Sequence, residues 1–242
     1  YYCEKCSTNV YPTLRSEERL NKCQWGHVCS ICNSILIPLP TDETKPLLST
    51  SIYAMTKHHQ EEMCLLIGKT YGIPTIALRF FNVYGSRQAL SNPYTGCAAI
   101  FTSRLINNNP PYFFEDGNQS RDFVHVKDLA HGIILSLKKS NGNYLPINIG
   151  AGNRISIKKV AKVLSDVLNI NTNPIISNRF RKGDIRHCFA DISRAKKLLD
   201  YEPKIDIIEG FQELISWAKK HPETAIDMFD NAREELEERN LA

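Results

Sequence analysis

An apolar pattern with helical spacing runs from Tyr53 to Tyr71. Thr50 or Ser51 precedes this pattern, and either hydroxyl can accept a hydrogen bond from the free N–H groups at a helix start. The Gly-Ile-Pro sequence at residues 72–74 follows it as a stop signal. The sequence therefore predicts a helix that begins at or just before Tyr53 and ends at Tyr71.

An apolar, β-favouring run at residues 75–81 follows this helix and is typical of a buried parallel strand. Asn82 comes directly after the run. Ligands bind at the carboxyl ends of strands in open α/β sheets, so Asn82 is a candidate polar anchor, although an Asn that only shapes a turn fits equally well. Further strands are predicted at 112–114 and 145–149, a loop at 91–96, and helices at 14–20, 98–107, 156–168, 191–199, 208–219 and 222–239, with one more ending at 137.

Composition narrows the class of protein only a little. Of the 242 residues, 42% are hydrophobic and 23% are charged, as in an ordinary globular protein. No run of about 18 apolar residues predicts a membrane-spanning helix. The net charge of +4 combines −5 over residues 222–242, expected as a solvated acidic helix, with +9 over the rest. A mildly basic body suits an anionic ligand, but it lacks the dense basic stripe of a nucleic-acid binder.

The cysteines suggest a metal site near the start of the chain. Two C-x-x-C pairs at this separation predict a structural zinc site, which would cross-link a segment too small for its own core. Free thiols, or a redox pair within one motif, are the alternative. Cys23 and His27 could also serve as ligands. The predicted ligands are four of the eight cysteines: Cys3, Cys6, Cys29 and Cys32.

Tyr53 and Lys57 are four residues apart, so they share one face of the predicted helix. A fixed ammonium beside a phenol favours the phenolate, which makes the pair a candidate acid/base group. The spacing alone is not specific, because Tyr1 and Lys5 match it as well.

Two arginines are candidate phosphate ligands. The bidentate fork of Arg121 suits a phosphate, although a surface ion pair with Asp122 or Asp128 is the alternative. Arg186, in a polar loop, is the second candidate. His187 beside it is interpreted as a hydrogen-bonding loop residue rather than a base.

Gly150 and Gly152 stand between a predicted strand and a predicted helix, as in a dinucleotide-binding fingerprint. The third glycine of that fingerprint is absent, because Ile155 occupies its position. The two glycines are therefore interpreted as turn residues.

Taken together, these segments resemble the extended short-chain dehydrogenase/reductase family, in its NAD-dependent nucleotide-sugar epimerase/dehydratase branch. The paired-cysteine segment before Tyr53 resembles a subgroup close to dTDP-L-rhamnose 4-epimerases. The matching segments lie in family order within residues 41–221: Y-x-x-x-K at 53–57, R-F-F-N-V-Y-G at 79–85, R-D-F-V-H-V-K-D at 121–128, N-I-G at 148–150 and G-D-I-R-H at 183–187.

The resemblance implies roles for individual residues. Tyr53 would be the catalytic acid/base, Lys57 would bind the nicotinamide ribose of NAD, and Phe81 would lie near the nicotinamide. The activity implied is 4-epimerisation of a nucleotide-diphosphate sugar through transient oxidation at C4 with bound NAD. The residues implied to contact the sugar nucleotide are Asn82, Arg121, Asp184 and Arg186.

The implied fold is α/β: the C-terminal part of a Rossmann-like parallel sheet fold with a smaller substrate-binding α/β region and a small zinc-knuckle insert. Three segments are expected, namely the insert at 1–40, the partial Rossmann-like core at 41–221 and an acidic terminal helix at 222–242. The resemblance further implies a cytoplasmic homodimer that uses NAD and structural zinc, with neither nucleic acid nor membrane as partner.

The chain departs from the family at its start and at Ser86, where the family often has Pro. The family's glycine-rich strand-turn-helix for the NAD pyrophosphate is absent, and so is the strand with the Ser/Thr partner of the tyrosine. About the first third of such an enzyme is therefore expected to lie upstream of Tyr1. A dehydratase, decarboxylase or reductase of the same branch, and a non-catalytic sugar-nucleotide-binding module, are the alternatives.

Overall fold

The computed structural model of the chain describes residues 1–92 and 95–239. Pro93 and Tyr94 of the predicted loop, and residues 240–242 of the predicted acidic helix, lie outside the described residues. The helices within the described ranges are α1 Glu17–Asn21, α2 Ile52–Tyr71, α3 Cys97–Ile106, α4 Val126–Lys138, α5 Ile157–Leu168, α6 Ser193–Leu199, α7 Ile207–Lys220 and α8 Phe229–Glu238.

The strands are short and pair mostly in parallel. Strand β3 pairs with β8, β4 with β7, β5 with β10 and β11 with β6, all in parallel, whereas β6 with β9 and β1 with β2 are antiparallel. Parallel pairing requires crossover helices, which matches the alternation of strands and helices in the sequence. The strands are β1 Tyr2–Cys3, β2 Thr8–Asn9, β3 Ala77–Phe80, β4 Asn82–Tyr84, β5 Tyr112–Phe113, β6 Ser120–Arg121, β7 Phe123–His125, β8 Pro146–Ile149, β9 Ile155–Ser156, β10 Ile175–Ile176 and β11 His187–Cys188.

Two hydrophobic clusters form the core of the body. The larger one packs helices α3, α5 and α7 around Phe101, Leu164 and Phe211. The smaller one surrounds strand β8, with Ile147 and Ile149 fully buried. Full burial of side chains of this size contributes about 1.5–3 kcal/mol each, so these clusters fix the sheet edges on which the candidate site residues stand.

Helix α2 forms as the sequence predicted. The Ser51 hydroxyl accepts from the Ala54 N–H at 3.1 Å and caps its first turn. Gly72 ends it in the left-handed region, at φ 67°, where a residue without a Cβ is favoured. Most of the helix surface is exposed, and among its own residues only Gly68 is buried.

The predicted strand at 75–81 differs from the structure in length and in burial. Strand β3 covers Ala77–Phe80 only, and Phe80 is 49% exposed. Within the described residues β3 pairs with β8 in parallel, as predicted, but its side chains are half-buried or exposed where the sequence predicted a buried strand. Asn82 does not follow the strand in a turn, because it opens β4.

The C-terminal region is not the single solvated helix that its charge predicted. A 3₁₀ turn covers Pro222–Thr224, and α8 begins only at Phe229. The reason is the buried guanidinium of Arg104, which donates to Asp230 at 3.0 Å and stacks 4.7 Å from the Phe229 ring centre. A buried cation needs carboxylate partners, so part of the acidic segment packs on the body.

Candidate functional site

Tyr53 and Lys57 stand on the first two turns of α2, on one face. The Lys57 ammonium lies 5.8 Å from the centre of the Tyr53 ring and donates to the Gln60 side chain at 3.2 Å. The Tyr53 side chain is 72% exposed. The predicted pair is therefore brought together, on an open surface of the described part of the chain.

Arg79 ties this helix to the sheet. Its Nε and Nη2 donate to the two carboxylate oxygens of Glu61, each at 2.7 Å, and its Nη1 donates to the Glu43 carbonyl at 3.2 Å. Glu61 stands two helical turns after Tyr53, and Arg79 stands two residues before Phe81. One side chain thus fixes the helix that carries the candidate acid/base against the strand that leads to Phe81.

Phe81 and Asn82 lie where the chain passes from one strand pair to the next. The Phe81 N–H donates to the Ile149 carbonyl at 3.2 Å, and the Asn82 N–H donates to the Asp122 carbonyl at 2.9 Å. Both backbones are therefore held by neighbouring strands. Asn82 lies beside the segment that carries Arg121.

The Gly150–Gly152 loop is closed around a carboxylate of the chain itself. Asp122, which is 0% exposed, accepts from the Ala151 and Gly152 N–H groups at 2.8 Å each and from Ala190 at 3.1 Å. A Cβ at Gly150 would come within 2.7 Å of that carboxylate, and Gly152 has φ 73°. Both glycines act as turn residues, as predicted, and the N–H groups of Ala151 and Gly152 are not free for a phosphate.

Arg121 and Asp184, both predicted to contact a sugar nucleotide, form an ion pair. Arg121 Nη2 donates to Asp184 Oδ1 at 3.1 Å, and the side chains are 17% and 30% exposed. The alternative reading of the sequence, an ion pair of Arg121 with Asp122 or Asp128, does not form among the described residues. The Asp128 carboxylate accepts from the Lys204 and Ile205 N–H groups at 3.0 Å each.

Arg186 is already bonded to carboxylates. Its Nη1 and Nη2 donate to the two oxygens of Asp116 at 2.6 and 2.9 Å, and Nη1 also donates to Glu115 at 2.7 Å. Its side chain is 7% exposed. Burial acts to raise the pKa of Asp116, but the bonds from Arg186 and Asn118 outweigh it and lower that pKa to about 2. The role of Arg186 as a phosphate ligand stays a prediction, because a phosphate would have to displace one of these carboxylates.

Arg181 is a residue that sequence reasoning missed. Its guanidinium stacks 4.4 Å from the centre of the Phe114 ring. Burial raises the pKa of the Cys97 thiol to about 11, and the charges of Arg121 and Arg181 both act against that rise, so both guanidiniums lie near the start of α3. Its position two residues before Gly183 was the available signal.

His187 is held in its neutral form by its surroundings. Its Nδ1 lies 2.7 Å from the Ser120 hydroxyl, which also accepts from Arg154 Nε at 3.1 Å. Burial, followed by the charges of Arg154 and two further arginines, lowers the pKa of His187 to about 3. It is a hydrogen-bonding residue at the start of β11, which agrees with its interpretation from the sequence.

The four cysteines of the two C-x-x-C pairs come together. Their sulfur atoms all lie within 4.8 Å of one another, with Cys3 to Cys32 at 3.5 Å and Cys6 to Cys29 at 3.9 Å. All four are free thiols. Neither Cys23 nor His27 belongs to this cluster, as far as the described residues show.

The family follows from comparison with known proteins. Residues 33–150 match the model of the NAD dependent epimerase/dehydratase family. A putative UDP-glucose 4-epimerase of Methanocaldococcus jannaschii is 33% identical over 186 residues, which are 77% of this chain and 59% of the relative. The dTDP-L-rhamnose 4-epimerase of Burkholderia thailandensis is 32% identical over 210 residues, which are 87% of this chain and 56% of the relative. The chain belongs to the NAD dependent epimerase/dehydratase family.

Solved structures show the same fold. UDP-glucose 4-epimerase of Thermotoga maritima, with UDP-glucose, matches with a TM-score of 0.71 at 31% identity, over 77% of this chain and 59% of that one. UDP-glucuronic acid 4-epimerase of Bacillus cereus, in complex with NAD, matches with a TM-score of 0.67 at 26% identity, over 77% and 58%. UDP-sugar acid decarboxylases are among the weaker sequence matches. The α/β, Rossmann-like fold predicted from the sequence is confirmed.

The chain spans less than three fifths of the length of the relatives it matches. In the part of the chain that the structure describes, no helix is long and apolar enough to cross a membrane.

Proposed function

We propose that the protein is an NAD-dependent nucleotide-sugar 4-epimerase, and that this chain supplies its acid/base and much of its sugar-nucleotide site. The observation that carries the proposal is the Tyr53–Lys57 pair on α2, which Arg79 anchors beside the strand leading to Phe81 and Asn82. The family supports it, because its named relatives include several nucleotide-sugar 4-epimerases.

In the proposed reaction the Tyr53 phenolate takes the proton of the sugar C4 hydroxyl, and Lys57 stabilises the phenolate by its charge. NAD held beside Tyr53 and Lys57 would supply reversible hydride acceptance for the hydrogen at C4. The 4-keto sugar turns between the two transfers, so the hydrogen returns to its other face. Tyr53 then gives the proton back to the C4 oxygen, and the chain ends each cycle unchanged.

The residues present fit one end of NAD. The exposed face that holds Tyr53 and Lys57 offers a phenol and an ammonium to a ribose and nicotinamide, with Phe81 as the proposed apolar neighbour. The Gly150–Gly152 loop does not fit the pyrophosphate, because Asp122 occupies its N–H groups. The proposed cofactor site of this chain is therefore the nicotinamide side only.

The proposed sugar-nucleotide site uses the charges around the start of α3. Arg121 and Arg181 provide the positive charge that a diphosphate requires, and Asp184 and Asn82 provide polar contacts. Arg186 is proposed to act there as well, after exchange of a carboxylate for a phosphate. The proposed substrate is of the dTDP-L-rhamnose type, since the relative of that name covers 87% of this chain.

We also propose that the four cysteines bind one structural zinc ion. Zn–S bonds of about 2.3 Å in a tetrahedral site place the sulfurs about 3.8 Å apart, close to the observed 3.5 and 3.9 Å. The buried hydrophobic cluster of this segment has only three members, so the segment needs such a cross-link. Residues 1–40 are proposed as this zinc-knuckle insert, 41–221 as the partial core and 222–242 as the C-terminal segment.

The oligomeric state and location proposed are those that the resemblance implied, a homodimer in the cytoplasm. Exposed apolar residues of α2, among them Leu66 at 66% and Tyr71 at 74%, offer a surface for a second copy. Unpaired thiols are the usual state of cysteines in a reducing compartment.

Tyr53→Phe in the natural full-length protein tests the function. We expect epimerisation to fall by about 10³-fold, because a positioned acid/base contributes about 10²–10⁴-fold, while binding of the sugar nucleotide survives. Tyr71→Phe on the same helix is the matched control and retains activity. The assay follows C4 inversion of dTDP-L-rhamnose and UDP-glucose by NMR.

Retained turnover in Tyr53→Phe rules this residue out as the acid/base. Loss of the carboxyl carbon from UDP-glucuronate, assayed beside the other two substrates, identifies a decarboxylase of the same family, and loss of water from UDP-glucose identifies a dehydratase. Binding of sugar nucleotides without turnover by the natural protein identifies a non-catalytic binding module.

A further inference from the structure

Arg15 joins three separate parts of the chain. Its side chain is 4% exposed. Within the paired-cysteine insert it donates to the Trp25 carbonyl at 3.1 Å. In the body it donates to both carboxylate oxygens of Glu115, at 2.9 and 2.7 Å, and to the Asp184 carbonyl at 2.9 Å. A single guanidinium therefore connects the insert to the loop that carries a candidate substrate residue.

The body of the chain cannot easily replace Arg15 as the partner of Glu115. Glu115 is 0% exposed, and its backbone N–H donates to the Arg179 carbonyl at 2.6 Å, which holds this residue in place. Two guanidiniums, from Arg15 and Arg186, balance the carboxylates of Glu115 and Asp116. Without Arg15 this buried group carries one uncompensated negative charge, which is unfavourable away from water.

The cysteine cluster sets the position of Arg15. The residue lies between Cys6 and Cys29, so closing the four-thiolate site also closes the segment that contains Arg15 and Trp25. Because the insert has few buried apolar side chains of its own, a metal ion bound by the four cysteines would order this segment in place of a core. Lys182, directly before this loop, lies 3.4 Å from Glu17 of α1 and adds a second, exposed contact.

We propose that Arg15 is a positioning residue for the loop at residues 183–187, and that metal in the four-cysteine site thereby sets the protein's affinity for its nucleotide ligand. The loop carries Asp184, whose carboxylate holds the Arg121 guanidinium. Its backbone also holds Arg121, through the Arg186 carbonyl at 3.3 Å. The proposal rests on the proposed function for the identity of the ligand, but the mechanical coupling does not.

Hydrogen–deuterium exchange of the natural full-length protein measures the coupling directly. Chelation with EDTA is expected to raise exchange in the loop at residues 183–187 severalfold, and Arg15→Met is expected to do the same in the metal-loaded protein. The matched control is Lys22→Met, since Lys22 is 60% exposed at the end of α1 and pairs with Glu18. Unchanged loop exchange after chelation, or an Arg15→Met effect no larger than that of Lys22→Met, overturns the proposal.

Ligand binding distinguishes positioning from general destabilisation. Arg15→Met is expected to weaken binding of UDP and dTDP about tenfold, the factor that one lost charge-assisted hydrogen bond produces. It should raise KM for the sugar nucleotide while kcat stays near that of the natural protein. Arg15→Lys, which keeps the charge but not the fork, should restore part of the affinity. Equal loss in kcat, with KM unchanged, overturns the proposal.

The two proposals fail in different ways. If the natural protein shows no epimerisation, the proposed function fails, whereas the exchange measurement still reports on the coupling. If Arg15→Met does not fold, chelation of the natural protein and Arg15→Lys still decide the question.

Discussion

The Arg79–Glu61 ion pair is expected to contribute measurably to stability, unlike most ion pairs at protein surfaces. Both bonds are 2.7 Å long and bidentate, and the side chains are only 21% and 16% exposed. Hydrogen bonds to charged groups contribute about 1.5–3 kcal/mol when buried, and exposed pairs about 0–1 kcal/mol. Because both side chains are mostly buried, this pair lies in the lower part of the buried range, at about 2 kcal/mol.

A double-mutant cycle of Arg79→Met and Glu61→Met isolates this coupling energy. Urea unfolding followed by circular dichroism supplies the four free energies of unfolding. The matched control is Lys162–Asp166 on α5, whose side chains are 68% and 62% exposed. The control cycle should give about 0.3–0.5 kcal/mol, as for an exposed pair four residues apart.

The cycle also has a functional readout, because the pair positions the helix that carries Tyr53. Both single variants should lower kcat, since small displacements of an acid/base cost much of the rate. A coupling energy no larger than that of Lys162–Asp166, together with unchanged kcat, would refute the reasoning that Arg79 anchors the candidate acid/base.

Two further predictions concern the metal and the pH dependence. Native, untagged protein should contain about one zinc ion per chain. The Cys29→Ala variant should lose this zinc, and the exposed control Cys64→Ala should keep it. Metal analysis that finds no zinc contradicts the assignment. The folded-state pKa of His187, about 3, is below its ordinary value of 6.5, so the stability it contributes is complete above pH 6.5 and is lost as the pH falls toward 3. Urea unfolding from pH 7.5 to 4.5 should therefore show a shallower loss of stability in His187→Asn than in the natural protein or in His59→Asn, and identical profiles would contradict it.

Features set by neighbouring residues could be predicted from the sequence. Helix α2 formed because its cap, its periodicity and Gly72 all favour the same bounds. The cysteine cluster formed as two local C-x-x-C pairs predict. The turn at Gly150 and Gly152 was recognised because a missing third glycine is visible in the sequence itself.

Features set by long-range partners could not be predicted in this way. The sequence predicts Arg186 as a phosphate ligand, but it does not show that Glu115 and Asp116, some 70 residues earlier, occupy its donors in this structure. Arg15 gave no signal, since its partner Glu115 is 100 residues away. The exposure of Phe80 depends on which strands pair with β3, a property of the assembled sheet rather than of the strand.

The Arg15–Glu115 contact also predicts how these two positions vary among relatives. A relative that lost the cysteine insert would keep a buried acid with one of its two arginine partners missing, and a relative that gained the insert without the acid would bury a lone arginine. Substitutions at the two positions should therefore occur together. We expect relatives with the paired cysteines to keep an arginine and an acid at these positions, and relatives without the insert to carry one acid fewer at the positions of Glu115 and Asp116.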